Sequence, residues 1–292
     1  MKYIEKHPMV MILVGVMGIS MSAILVRFST APSAVTASWR LLWTVILMSP
    51  VTFGREAVRK ALFSVSRNQC RLSLLSGVFL AIHFWFWFES LQYTSVASAS
   101  TIVSTEVIWV SIGFFLFLKG KLSGKAIAAI GVAFVGSAFV ALADSGTGGT
   151  HLQGDLYALL AAMAVAVYML IGRIVRSGLS NTVYTYLVYV ACAAGLLAMS
   201  IIQQQGLFDY GMNGIVIGLA LAVFSTILGH SVFSWCLKYF SPSFVSASKL
   251  CEPVVAAILA GVLFGEIPTV LQLLGCILIL GSVLYYSKLD EK

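Results

Sequence analysis

Leu91-Gln92-Tyr93-Thr94-Ser95-Val96-Ala97-Ser98-Ala99-Ser100-Thr101-Ile102-Val103-Ser104-Thr105-Glu106, set above Leu237-Lys238-Tyr239-Phe240-Ser241-Pro242-Ser243-Phe244-Val245-Ser246-Ala247-Ser248-Lys249-Leu250-Cys251-Glu252, decides how this chain is built. At one shift of 146 residues the leucine, the tyrosine, two serines and the closing glutamate coincide. The same shift lays Arg27 on Arg173 and Thr36 on Thr182. With one or two residues of slippage, Gly131 and Gly136 meet Gly275 and Gly281. A shared shift kept in the same order along the chain points to duplication.

Both stretches lie among long apolar runs. The 292 residues are 60% hydrophobic and 10% charged. A soluble domain is nearer half apolar and a quarter charged, and a globule of this length cannot hide so much apolar surface. Runs of about twenty residues, enough to cross about 30 Å of hydrocarbon, recur near 8–28, 34–53, 71–92, 95–118, 124–142, 154–175, 183–203, 212–236, 242–264 and 268–287. The alternating short strands of an outer-membrane barrel are absent. Lys2 and Lys6 precede an apolar run from Met9 to Val26 that is too long for a signal peptide. Arg27 stands where a cleavage site needs small neutral residues, so an uncleaved first span is expected.

Charge orients the spans. With the N-terminus in the cytoplasm, the inside segments hold fifteen basic residues, from Lys2 to Lys292, and the outside segments hold Arg27 alone. That is a strong positive-inside bias, and it accounts for the net charge of +7 without any nucleic-acid partner. Five spans per half is an odd number, so the halves are inverted. The loop charges agree: the loop after the fourth span carries Lys119, Lys121 and Lys125, and the one after the ninth carries Glu266. The expected fold is an all-α membrane protein of ten transmembrane helices. It is arranged as two inverted five-helix repeats around a central cavity, with both termini cytoplasmic. One transmembrane domain over 1–292 divides into a first repeat at 8–142, a glycine-rich extracytoplasmic linker at 143–153 and a second repeat at 154–287. Inverted repeats of this kind place a site near the bilayer midplane.

The chain resembles the EamA-type ten-helix members of the drug/metabolite transporter superfamily. The resemblance rests on Ser38-Trp39-Arg40-Leu41, on Leu91 through Ala99, on Cys251-Glu252-Pro253 running to Gly265-Glu266, and on the closing helix spaced by Gly275 and Gly281. It implies alternating access around a central cavity and a small-molecule solute, mostly exported. Two departures stand out. Val107 occupies the place of Pro253, and Lys119-Gly120 that of Gly265-Glu266. The missing partner makes Glu266 a structural helix-end residue, not half of a symmetric device.

Ionisable groups within spans are site candidates by default. Glu106 and Glu252 are equivalent, and each is read as a cavity carboxylate that binds a cationic group or carries a proton, or as half of a buried salt bridge to Arg40 or Lys249. Lys249 lies three residues before Glu252, so the two share a helix face and either pair locally or divide a zwitterion between them. His83 and Trp87 form one stripe, and His230 and Ser234 another. Each histidine is a titrating group or a satisfied core residue. Thr101, Thr105, Glu106 and Trp109 make a polar and aromatic wall. Trp85 and Phe88 suit an interfacial aromatic belt. Arg40 is expected to hold helices together. Gly15 with Gly18, Gly131 with Gly136, and Gly275 with Gly281 are packing contacts.

The functional expectation is a secondary transporter, an exporter of a small amphipathic metabolite such as an amino acid or organic cation, with proton coupling as an option, in a bacterial-type inner membrane. A lipid or amphiphile flippase is the alternative. No Walker A loop, serine elbow or HExxH occurs, which argues against ATP use and enzymatic chemistry. The five cysteines are scattered without metal spacing, so neither metal nor cofactor is expected. Partners are the solute and the bilayer, with the chain a monomer or homodimer.

Overall fold

The computed structural model describes residues 8–93, 99, 102–144, 152–252, 254–255 and 269–290. Thr101, Pro253, Glu266 and most of the glycine-rich linker lie outside the described residues. In hydrocarbon every backbone N–H and C=O must be satisfied within the protein, and helices do this locally. In chain order they are α1 (Pro8–Arg27), α2 (Ser33–Gly54), α3 (Glu56–Phe63), α4 (Arg67–Tyr93), α5 (Glu106–Leu118), α6 (Gly124–Asp144), α7 (Leu152–Arg176) and α8 (Asn181–Ile202). There follow α9 (Gly211–Leu221), a π-helical segment (Ala222–His230), α10 (Ser231–Cys236), α11 (Pro242–Ser248), a 3-10 turn (Lys249–Cys251) and α12 (Val270–Asp290). Among the described residues, six helical stretches are long and apolar enough to cross a membrane, and α5 and parts of α6 and α12 are shorter apolar helices.

Burial is arranged for lipid outside and polarity inside. Leu13, Phe115, Phe117 and Ile277 are each more than 60% exposed. Arg40, Thr44, Ser76, His83 and Glu106 are buried. A water-soluble fold would not leave so much contiguous apolar surface uncovered.

The two halves are interleaved. The principal contacts run from α4 to α7 and α8, from α2 to α8 and α9, from α1 to the π-helical segment, from α5 to α7 and α11, and from α6 to α12. Exchanging first-half helices for second-half ones relates most of these contacts: α4 on α7 is matched by the π-helical segment on α1, and α4 on α8 by α9 on α2, while the counterpart of α5 on α7 is much weaker. Small residues permit the close crossings. A Cβ on Gly18 would lie 2.7 Å from the Gly229 nitrogen, and one on Gly136 would lie 2.8 Å from the Gly275 oxygen. Gly15 sits against the Phe233 ring. Gly131 and Gly281 are different: a Cβ there meets nothing within 4 Å, so neither makes the close contact expected of it.

Three local features depart from unbroken spans. The run expected at 95–118 is interrupted, with Ser104 and Thr105 forming a turn before α5 begins at Glu106. In the second half, α11 is N-capped by the Ser241 hydroxyl on the Phe244 N–H, and ends in the 3-10 turn just before Glu252. The run at 212–236 carries nine π-helical residues in its centre, an arrangement often found at functional sites. Between α2 and α4, the basic loop contains the exposed helix α3, with an i,i+4 pair between Glu56 and Lys60. After α5, Lys119 adopts φ +51° as a left-handed cap, the role usually given to glycine.

Candidate functional site

One cavity collects side chains from both halves. From the first come Ser22 of α1, Arg40 of α2, His83, Phe84 and Trp87 of α4, and Glu106 of α5. From the second come His230, Ser246, Lys249 and Glu252. It is narrow, about 60 Å³, enough for a few water molecules and well short of the 300–1,000 Å³ typical of ligand pockets.

The centre of its charge is an ion pair between halves. Lys249 Nζ lies 2.9 Å from Glu106 Oε1, and both side chains are almost wholly buried. Ser246 Oγ donates to the same carboxylate oxygen at 3.1 Å. Lys249 also contacts Met169 Sδ at 3.6 Å and lies 5.7 Å from the Phe233 ring centroid. Glu106 opens α5, where the helix dipole favours a negative charge. The lysine therefore turns away from the local i,i+3 partner that its spacing offers, and its cross-half partner supplies a second hydrogen bond and a helix N-terminus besides.

Arg40 contacts several helices at once. Its Nε donates to Thr226 Oγ1 at 2.7 Å, and Nη1 reaches Ser22 Oγ at 3.4 Å. The guanidinium carbon stacks 4.1 Å from the Phe84 ring centroid, with Phe88 at 6.0 Å. These contacts tie α2 to α1, α4 and the π-helical segment. Nη2 is buried without a hydrogen-bond partner. The neighbouring Trp39 works outward: its indole N–H donates to the Leu207 carbonyl at 2.9 Å.

The histidines form an aromatic wall. His83 Nδ1 lies 3.0 Å from the Ala161 carbonyl. A carbonyl only accepts, so Nδ1 carries the hydrogen. His230 is 6.2 Å from His83 and 5.0 Å edge-on from Phe84, centroid to centroid.

Of the residues singled out from sequence, the cavity unites Glu106, Glu252, Lys249, His83, Trp87 and His230, with Arg40 beside them. Three described candidates lie elsewhere. Trp109 packs against the core with its indole nitrogen buried and unpartnered. Thr105 bonds back to the Ile102 carbonyl at 2.7 Å. Ser234 is buried behind the wall, where its carbonyl accepts from Arg176 Nε. Glu106 begins α5 and Thr105 lies in the turn before it, so the expected stripe is not one regular helical face at Thr105. Phe88 is a correction as well: it is fully buried near Arg40 and forms no interfacial belt. Sequence reasoning passed over Phe84, Ser22 and Ser246. The shift of 146 pairs Phe84 with His230 and Ser100 with Ser246, so two of the three carried a usable signal.

A helical membrane fold with a polar cavity between two interleaved halves defines a multi-pass membrane transporter. Residues 7–142 and 152–288 each match the EamA-like transporter family, and the chain belongs to that family. It is 24% identical over 221 residues to an uncharacterised transporter of Bacillus subtilis, covering 75% of this chain and 70% of the relative. It is 28% identical to a probable amino-acid metabolite efflux pump of Salmonella typhimurium, covering 76% and 79%. A protein of that same description from Escherichia coli is 27% identical, covering 75% and 78%. A crystal structure covering 98% of both chains is similar in fold, with a TM-score of 0.80 and 16% identity.

Proposed function

We propose that the chain is a secondary exporter of a small amphipathic metabolite, an amino acid or an organic cation, working by alternating access in a bacterial cell membrane. Ten spans form two inverted repeats, over 8–142 and 154–287, with both termini in the cytoplasm. The exchange symmetry of the helix contacts supports this arrangement, as does the excess of basic residues in alternate loops. Relatives named as probable amino-acid metabolite efflux pumps support the direction and solute class.

The observation that carries the reading is the Lys249–Glu106 pair, a charge contact between halves on the wall of a shared cavity. A cavity of about 60 Å³ must widen to admit a metabolite, and the halves must move relative to one another to widen it. The pair is then remade or broken at each turnover. Glu252 makes no ion pair with that lysine and is the carboxylate that meets a cationic group of the solute.

The test is flux in liposomes carrying the purified protein, with amino acids and organic cations as solutes. Glu106→Gln and Glu252→Gln are each expected to weaken transport. Wild-type flux in both variants would remove these residues from the mechanism. A cysteine placed at position 147 is expected to react with a membrane-impermeant maleimide from the outside of intact cells; labelling only after lysis would overturn the topology.

A further inference from the structure

We propose that Arg40 is the carboxylate receptor of the cavity, and that transported solutes must carry an anionic oxygen group. This rests on the transporter reading above, and sharpens it by separating amino acids from simple organic cations.

Lys249 would be the obvious receptor, but its charge is already matched by Glu106 at 2.9 Å. Arg40 makes no ion pair among the described residues. A guanidinium carries five N–H donors. Here Nε is well bonded to Thr226, Nη1 makes one long contact at 3.4 Å, and Nη2 has no partner although the residue is only 1% exposed. A buried charge left short of hydrogen bonds is costly. Arg40 lines the cavity, so a solute entering there can supply what the protein does not. Stacking on Phe84 holds the guanidinium plane in place, and a fixed planar fork suits a carboxylate better than a flexible ammonium would.

The fixed charges of the wall are balanced. Arg40 and Lys249 are its basic side chains; Glu106 and Glu252 are its carboxyl side chains. Once Lys249 and Glu106 pair, one basic and one acidic side chain remain. A zwitterion fits that pair, with its carboxylate at Arg40 and its ammonium at Glu252. A doubly charged phosphate finds no second free cation among the described residues of the wall. Neither does a bare amine satisfy Arg40.

The experiment is counterflow in liposomes containing the full chain, with the standard L-amino acids as solutes. For each one that moves, its carboxamide and its decarboxylated amine are compared with it. Wild-type protein is expected to prefer the acid over its amide by about 10- to 100-fold in half-saturating concentration, the range for hydrogen bonds to a charged group. Arg40→Gln is expected to erase that preference while still carrying the amide. Arg40→Lys is expected to restore part of it. A folded Arg40→Gln that weakens acid and amide equally would make Arg40 a clamp only, and would overturn the proposal. Should Arg40→Gln fail to fold, the wild-type ratio decides, and a ratio near one overturns it. Flux of amines without acids would sink the role of Arg40 and leave the transporter standing. No flux of any solute would bring down both.

Discussion

Glu106 and Glu252 stand 146 residues apart at equivalent positions, and each follows a break in its helix. Ser104 and Thr105 make a turn before the first, and Lys249 to Cys251 make a 3-10 turn before the second. Both carboxylates then reach one cavity. Among the residues that differ between the breaks, one changes the charge. The counterpart of Lys249 is Val103. The lysine of the second half crosses over to neutralise Glu106, and the valine of the first half has nothing to return to Glu252. Of two equivalent carboxylates, Glu106 thus has an ion pair and Glu252 has none among the described residues, and the Val103–Lys249 difference provides it. Duplication supplies the scaffold, and local departures from it supply the chemistry.

The contrast can be broken most directly at the lysine. Lys249→Met leaves Glu106 charged and buried, and is expected to cost about 3–5 kcal/mol, read as a loss of thermal stability in detergent. Glu252→Gln should cost far less in the same assay. Equal losses would show that the two carboxylates are alike after all.

A transplant sharpens the same point. Adding Val103→Lys to Lys249→Val moves the lysine into the first half, where exchange symmetry brings it to Glu252. A favourable coupling on the order of 1–3 kcal/mol between the two changes is expected in a double-mutant cycle. Strict additivity would argue against equivalence of the two breaks.

Ser246→Ala removes a hydrogen bond to Glu106 and is expected to cost about 1.5–3 kcal/mol. Gly136→Ala should cost about 1–3 kcal/mol through overpacking against the Gly275 backbone. Gly131→Ala, which meets open space, should be close to neutral. A melting series would settle both glycines together. Least of all, Lys60→Ala breaks an exposed helix pair and is expected to shift stability by only about 0.3–0.5 kcal/mol.

Much of this was legible before any coordinates. The apolar runs, the shift of 146 and the intramembrane charges led to a helical membrane protein built from related halves, with Glu106, Glu252, Lys249, His83 and His230 as residues to watch. Family membership follows from the chain's own residues, since two stretches of about equal length match the same family. These are one-dimensional properties. Hydropathy depends on the length of a run, and duplication on its register.

The partners of the charges needed the tertiary structure. Spacing along one helix offered Lys249 to Glu252; packing between halves gave it to Glu106. Helical periodicity placed Trp109 and Thr105 on the wall; Thr105 lies instead in the turn before α5, and Trp109, in the same helix as Glu106, packs against the core. Arg40 read as a clamp, and only the geometry around Phe84, Thr226 and Ser22 left its Nη2 without a bond. Sequence alone determined which groups are buried in the membrane, because transfer into hydrocarbon depends on composition. Pairing among them was decided by the fold, because a charge in a low-dielectric interior chooses the partner with the best geometry, and geometry between distant segments exists only once they have packed.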